Sequence, residues 1–567
     1  MRRGLLLAVG LLPVLAWNSV SAGLRLPKDA VPLEQDVRLD LDPAKEDYTG
    51  TVVARVEVPK ATRLIHLHDG GPRVESAVLR TSAGKKIGLV ATVEQRDILV
   101  LTAAVTIPAG RHVLEMTFRN RYNTRADSLY KVVVDGEPYL FTQFEDTAAR
   151  EAFPCWDEPS FKIPWKLTLT VPAGLLALAN TPIESESTAD GLRTIVFKKT
   201  PPLPSYLVAL AVGRLETVPV PGTRVPTRIV TVRGKSGLAG EAVRQTPPLL
   251  AALERYFGQP YPFEKLDLLA VPDYWYGAME NPGAITFRET ILLVDPKGGD
   301  AEERSHMAGT VAHELAHMWF GDLVTMAWWD DMWLNESFAS WMGDKVAEEV
   351  YPELGLGVGQ VREMERAMSF DGRRVTRAMR QPVESQDVLL EAADTLAYNK
   401  GQAVLTMFER WLGPETFRKG VLLYLAAHAW GNATGSDLWG SLAKASGKDV
   451  SPAMSSFLEQ PGVPLVSAEL LGGGRVRLTQ RRFFQDGTAP GAKQLWRIPV
   501  TLAFGNGKTR GSKTVLLSTE SATVDLGTPA EWIHPNADER GYYRWSLPAA
   551  ALDDLSARAS SGLTTRE

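Results

Sequence analysis

The 567-residue chain is 44% hydrophobic and 23% charged, which excludes wholesale disorder and leaves room for three or four domains of about 150 residues. Its 62 basic and 67 acidic residues give a formal charge of −5, so there is no basic footprint and no nucleic-acid partner is expected. The single cysteine, Cys155, excludes an intrachain disulfide or a multi-cysteine metal cluster, so metal ligands must come from the eight histidines and the carboxylates.

At the N-terminus Arg2 and Arg3 precede an apolar run from Leu5 to Trp17, and Val20-Ser21-Ala22 offers small residues for cleavage. This predicts a secretory signal peptide over 1–22 and an exported protein, periplasmic or secreted. The run is too short to span a bilayer and no other stretch approaches eighteen apolar residues, so no integral membrane segment is expected after cleavage.

From 23 to 218 the dominant period is two. Val52, Ala54, Val56 and Val58 alternate with Thr51, Val53, Arg55 and Glu57, and Leu114, Met116 and Phe118 do the same, as do Trp165, Leu167, Leu169 and Val171. Such runs between Gly, Pro and Asp turns predict an antiparallel β domain, with Val218-Pro219-Val220-Pro221-Gly222 as its boundary. Over 219–464 the pattern becomes helical, with helices expected at 240–257, 302–320, 333–350, 357–370, 396–411 and 415–428 and one strand near Leu266–Val271. Period two returns at Val476 and Leu478 and at Trp496, Ile498, Val500, Leu502 and Phe504, predicting a small β-sandwich over 465–547. Residues 548–567 carry Leu552, Leu555 and Leu563 in a polar setting and read as the remnant of a helical region. Apolar surface left uncovered there would favour self-association or a separate helical partner. The fold class is therefore multidomain α+β.

The chemistry centres on His313-Glu314-Leu315-Ala316-His317. On a helix, positions i and i+4 share a face, so both imidazoles can reach one ion while Glu314 projects beside them. A catalytic zinc takes three protein ligands and keeps one position open. Glu336 lies nineteen residues after His317, in the apolar context Trp333-Leu334-Asn335-Glu336-Ser337-Phe338, where an unpaired charge is costly. A second, antiparallel helix would return it to the metal, giving the His₂Glu set found in thermolysin and carboxypeptidase A. Glu314 is then placed to take a proton from water and pass it to a leaving amine. These residues define a metal-assisted amide hydrolase but leave open where a peptide is cut, so a thermolysin-like endopeptidase is the alternative.

Further segments carry a resemblance. Gly277-Ala278-Met279-Glu280-Asn281 resembles the signature of the aminopeptidase N family of gluzincins. So do Thr142-Gln143-Phe144-Glu145, Phe153-Pro154-Cys155-Trp156-Asp157-Glu158-Pro159, Trp328-Trp329, Tyr398-Asn399-Lys400-Gly401 and Gly541-Tyr542-Tyr543-Arg544. The resemblance extends from about residue 35 to 547 and implies a thermolysin-like, mostly α catalytic domain over 219–464. It also implies one zinc per chain and peptide substrates with a free N-terminus. Glu280 would hold the substrate α-ammonium with Glu145, and Gln143 lies two positions earlier on the same extended face. Gly277 and Ala278 would lie beside the substrate, with Met279 and Asn281 completing the motif. Tyr398, read alone, is a packing residue; the resemblance makes it the hydroxyl that stabilises the oxyanion.

Asp330 and Ser337 depart from the family pattern, Ser337 replacing a common glycine, and neither removes a ligand. His66, His68, His112, His306, His428 and His534 match no ligand spacing and are read as structural or surface residues, and Cys155 as structural. Full relatives continue into a large helical domain over the cleft, so a chain without it is expected to have an open site, a raised KM and salt sensitivity. A catalytically impaired scaffold of the same fold and an epoxide hydrolase are the readings from other classes.

Overall fold

The computed structural model describes residues 25–567 except 95–96, 296–298, 386, 390–394, 489–490, 492 and 508. The expected signal peptide over 1–22 lies outside these residues. Strand Asp47–Val58 buries Tyr48, Val52, Ala54, Val56 and Val58 on one face and pairs antiparallel with Gly110–Arg121, whose Leu114, Met116 and Phe118 share that core. The strict alternation of the sequence thus becomes a one-sided sheet. Ten strands form it, and a second sheet of four strands includes Glu137–Gln143. Pairing within the large sheet is antiparallel except where Val31–Asp40 lies parallel to Trp165–Pro172.

The middle of the chain holds more sheet than the sequence foreshadows. Leu215–Pro219 crosses the expected boundary at 218 and pairs with Thr227–Val232, which runs parallel to Leu266–Val271 and that in turn to Ala284–Arg288. The two-residue edge strand Ala278–Met279 closes this five-stranded sheet. Every residue of Leu266–Val271 is buried, as covering on both faces requires. Around it stand helices Gly240–Phe257, Ala301–His317, Met332–Val350, Leu356–Asp371, Gly401–Leu412 and Pro414–His428, close to the expected positions. The helix expected over 396–411 instead opens as a π-turn, Leu396–Lys400, before its α-helical body. Helix Ala301–His317 begins with a capping box: Asp300 accepts from Glu303 N at 2.8 Å and Glu303 returns the bond to Asp300 N at 3.2 Å.

Beyond residue 462 a four-stranded and a three-stranded sheet enclose Val476, Leu478, Trp496, Ile498, Val500 and Leu502, all fully buried. Helix Ala549–Ala557 folds back onto these sheets. Leu555 is buried against Ala503, Trp532 and Ala537, and Leu563 is half-buried on the same cluster, leaving only Leu552 of the three exposed. This corrects the expectation of uncovered apolar surface at Leu555, which packs against the Trp532 indole, while Leu552 remains exposed as expected. Among the described residues no helix is long and apolar enough to cross a membrane.

Candidate active site

His313 and His317 stand near the C-terminal end of helix Ala301–His317, and Glu336 near the start of Met332–Val350. The two helices run antiparallel. Glu336 lies against both histidines, Ser340 against His313, and Gly343 against the backbone of Ala312 and His313. A Cβ on Gly343 would come within 2.7 Å of His313 N, so glycine is what lets the helices approach closely enough for one carboxylate to meet both rings.

The ring nitrogens are sorted by their partners. His317 Nδ1 is 3.0 Å from the Phe320 carbonyl and donates to it, while His313 Nδ1 lies 3.3 Å from Ser340 Oγ. Both Nε2 atoms turn inward, 3.0 Å apart, and Glu336 Oε2 is 3.5 Å from His313 Nε2 and 3.7 Å from His317 Nε2. One donor atom from each of the three residues lies within 4.8 Å of the others. Two imidazoles with their outer nitrogens engaged, plus a carboxylate, are the donor set and outer shell of a zinc site, so the residues fit that ion.

More carboxylates face this point. Oxygens of Glu145, Glu280 and Glu336 also lie within 4.8 Å of one another, and Glu280 Oε1 is 3.8 Å from His317 Nδ1. Glu280 is 3% exposed and Glu314 5%, and Glu280 Oε1 and Glu314 Oε2 are buried without a hydrogen bond among the described residues. Buried acceptors without donors mark the place of a cation or proton source. Burial pushes the Glu314 and Glu280 carboxyls up, and burial followed by Glu280 and Glu336 pushes Glu145 up. Burial would also raise Glu336, but His317 and His313 outweigh it and hold that carboxyl low. The ligand carboxylate is therefore anionic among neighbours that favour a proton.

Local structure explains these placements. Ala278 and Met279 pair with Phe287 and Thr286, Arg288 N donates to the Gly277 carbonyl at 2.9 Å, and Ala284 N to the Asn281 carbonyl at 2.9 Å. Asn281 Nδ2 reaches Thr286 Oγ1 at 3.4 Å. Gln143 is buried, its amide 3.5 Å from Met279 Sδ and its carbonyl accepting from the Tyr274 hydroxyl. It braces the strand that leads into Glu280. Of the aromatic run before this motif, Tyr274 is buried, whereas Trp275 is 73% and Tyr276 47% exposed.

Tyr398 sits in the π-turn with its ring 6.2 Å from that of His313 and inclined 22°. Burial, then the charges of Glu336, Glu145 and Glu280, keep its hydroxyl protonated far above the usual range. Ser337 Oγ donates to the Ala397 carbonyl, tying the glutamate helix to this turn. No local sequence pattern announces Ser337, Ser340 or the Phe320 carbonyl as supports; each matters through a partner distant in sequence or through backbone. Asp330 caps elsewhere, accepting from Val383 N at 2.6 Å. His66 pairs with Asp29, His68 accepts from Asp157 N at 3.2 Å and His112 contacts the Pro108 carbonyl at 2.8 Å, so these rings serve the fold.

Two family models match this chain: the Peptidase M1 N-terminal domain over residues 31–207 and the Peptidase family M1 domain over 241–457. Aminopeptidase M1 of Arabidopsis thaliana is 36% identical over 546 residues, covering 92% of this chain and 61% of the relative. Puromycin-sensitive aminopeptidase of Caenorhabditis elegans is 34% identical over 554 residues, 94% of this chain and 58% of the relative. Probable aminopeptidase 2 of Sulfurisphaera tokodaii is 38% identical over 434 residues, 76% of this chain and 54% of the relative. The chain thus spans about three fifths of the length of these curated relatives.

Proposed function

The chain belongs to peptidase family M1, and from that premise we propose that it is a zinc aminopeptidase that removes the first residue from peptides. One observation carries the choice of exo- over endo-cleavage: Glu145 and Glu280 place carboxylate oxygens within 4.8 Å of those of the ligand Glu336. They form a wall of carboxyl groups beside the reacting centre, suited to an α-ammonium whose charge would hold them ionised.

His313, His317 and Glu336 would hold the zinc, which when bound acts as a Lewis acid and makes water nucleophilic near neutral pH. Glu280 and Glu145 accept hydrogen bonds from the substrate ammonium and fix the first residue. Glu314, whose Oε2 has no hydrogen-bond partner among the described residues, takes the proton of the attacking water and delivers it to the leaving amine. The Tyr398 hydroxyl donates to the scissile carbonyl oxygen as it gains charge. Tyr398→Phe is expected to lower kcat about 10²–10³-fold with KM nearly unchanged, since this bond strengthens only in the transition state.

The test of the whole reading is a pair of peptides differing only in N-terminal acetylation. Acetylation removes the charge facing Glu145 and Glu280 and should lower kcat/KM by a hundredfold or more, about 3 kcal/mol for buried charge left unpaired. Equal hydrolysis would favour an endopeptidase, and zinc-loaded protein inert toward all amino-acyl amides would favour a scaffold. We also infer export, from Arg2, Arg3 and the Leu5–Trp17 run alone; N-terminal sequencing of mature protein starting near residue 23 would support it.

A further inference from the structure

Lys162 belongs to the β unit that precedes the catalytic helices, just before strand Trp165–Pro172. Its Nζ lies 2.7 Å from the Asp322 carbonyl, 2.9 Å from that of Leu323 and 3.2 Å from that of Gly431, three acceptors for three N–H donors. Two of these carbonyls belong to the segment that leaves the histidine helix and curls back behind it. Asp322 N donates to the His317 carbonyl at 3.0 Å, and Leu323 N to that of Met318 at 3.2 Å. The same segment carries the Phe320 carbonyl that takes the His317 Nδ1 proton at 3.0 Å. At Gly321, φ is +130° and a Cβ would come within 3.1 Å of His317 Nδ1, so the backbone passes directly behind the imidazole. From the far side Trp430 N donates to the Leu323 carbonyl at 2.7 Å and Thr325 N to that of Gly431 at 3.1 Å.

We propose that Lys162 is a positioning residue for the metal centre: by gathering the Asp322, Leu323 and Gly431 carbonyls, it fixes the loop whose Phe320 carbonyl orients His317. A loop held there keeps the proton on Nδ1 and the Nε2 lone pair aimed at the ion. A lysine serving only to glue the two units together would have no reason to address this loop. Asn432 shows the difference. Its Nδ2 bonds the Pro159 carbonyl at 2.8 Å and that of Met326 at 3.1 Å, joining the same two units, and neither carbonyl belongs to residues 318–324.

The inference rests on the zinc reading and is tested on the full chain by zinc affinity in competition with a chromogenic chelator. The variants are Lys162→Met, which keeps the apolar stem and loses all three donors, Lys162→Gln, and Asn432→Ala. Lys162→Met should bind zinc about 10–100-fold more weakly, the usual effect of losing an outer-shell support, and its cobalt form should show a changed visible spectrum. Asn432→Ala should keep wild-type affinity and spectrum. Wild-type affinity in Lys162→Met, or an equal loss in Asn432→Ala, overturns the assignment. If Lys162→Met does not fold, Lys162→Gln decides on the same terms: weakened zinc supports it and unchanged zinc overturns it. A wild-type chain that takes up no zinc overturns the zinc reading and this assignment with it, whereas tight wild-type binding matched by the lysine variants overturns the assignment alone.

Discussion

Glu314→Gln is expected to lower kcat about 10²–10⁴-fold while zinc stays at one per chain, because an amide fills the same slot but cannot take a proton. The slot is nearly closed, and Glu314 Oε2 has no hydrogen-bond partner among the described residues, so the substitution disrupts no bond there. Packing and metal content should therefore survive. Release of a fluorophore from amino-acyl amides gives kcat, and elemental analysis gives the metal. Activity within tenfold of wild type would move the proton transfer to another group, and loss of zinc would make Glu314 a structural residue.

The second large effect is on stability. Lys400 Nζ and Asp371 Oδ2 are 2.8 Å apart and both side chains are fully buried. Asp371 also accepts from Thr376 Oγ1 at 3.1 Å, Gly462 N at 2.8 Å and the Tyr542 hydroxyl at 3.2 Å. One carboxylate thus binds the π-turn that carries Tyr398, the segment after its own helix and two segments that flank the C-terminal strands. Asp371→Ala leaves an ammonium buried without its charge partner and should cost about 3–5 kcal/mol. The midpoint of the denaturant transition should fall accordingly, and the double variant Asp371→Leu, Lys400→Met should recover much of the loss. An unchanged midpoint in Asp371→Ala would mean that water or another carboxylate reaches Lys400.

Much of this was legible in the chain itself. The alternation at Val52–Val58 and Leu114–Phe118 marks strands because each buries one face, and the spacing of His313, His317 and Glu336 marks a metal site because two helices can present it. The short strands at Thr227–Val232 and Ala284–Arg288 were not legible. They are buried on nearly every residue, so no alternation betrays them. The same limit hid Ser337, Ser340, Lys162 and Asp371, each of which has a partner between 27 and 269 residues away. Motif spacing names the atoms that do the chemistry and is silent about those that aim them. The buried Leu555 follows the same rule, since a leucine among polar residues gives no sign that Trp532 lies above it.

The π-turn at Leu396–Lys400 has a consequence for how related sequences diverge. It accommodates one residue more than an α-helical turn of the same span, and each helical residue advances the next by about 100°. A single deletion between Tyr398 and Gly401 would let the segment relax into an ordinary helix, leave Gly401–Leu412 in place and swing the phenol away from His313 by that angle. His313, Glu314, His317 and Glu336 would remain, with zinc bound and no hydroxyl at the carbonyl. A one-residue gap is thus expected to separate metal binding from catalysis, and it would show as a shortened spacing between Tyr398 and Gly401 beside an intact spacing of His313, His317 and Glu336.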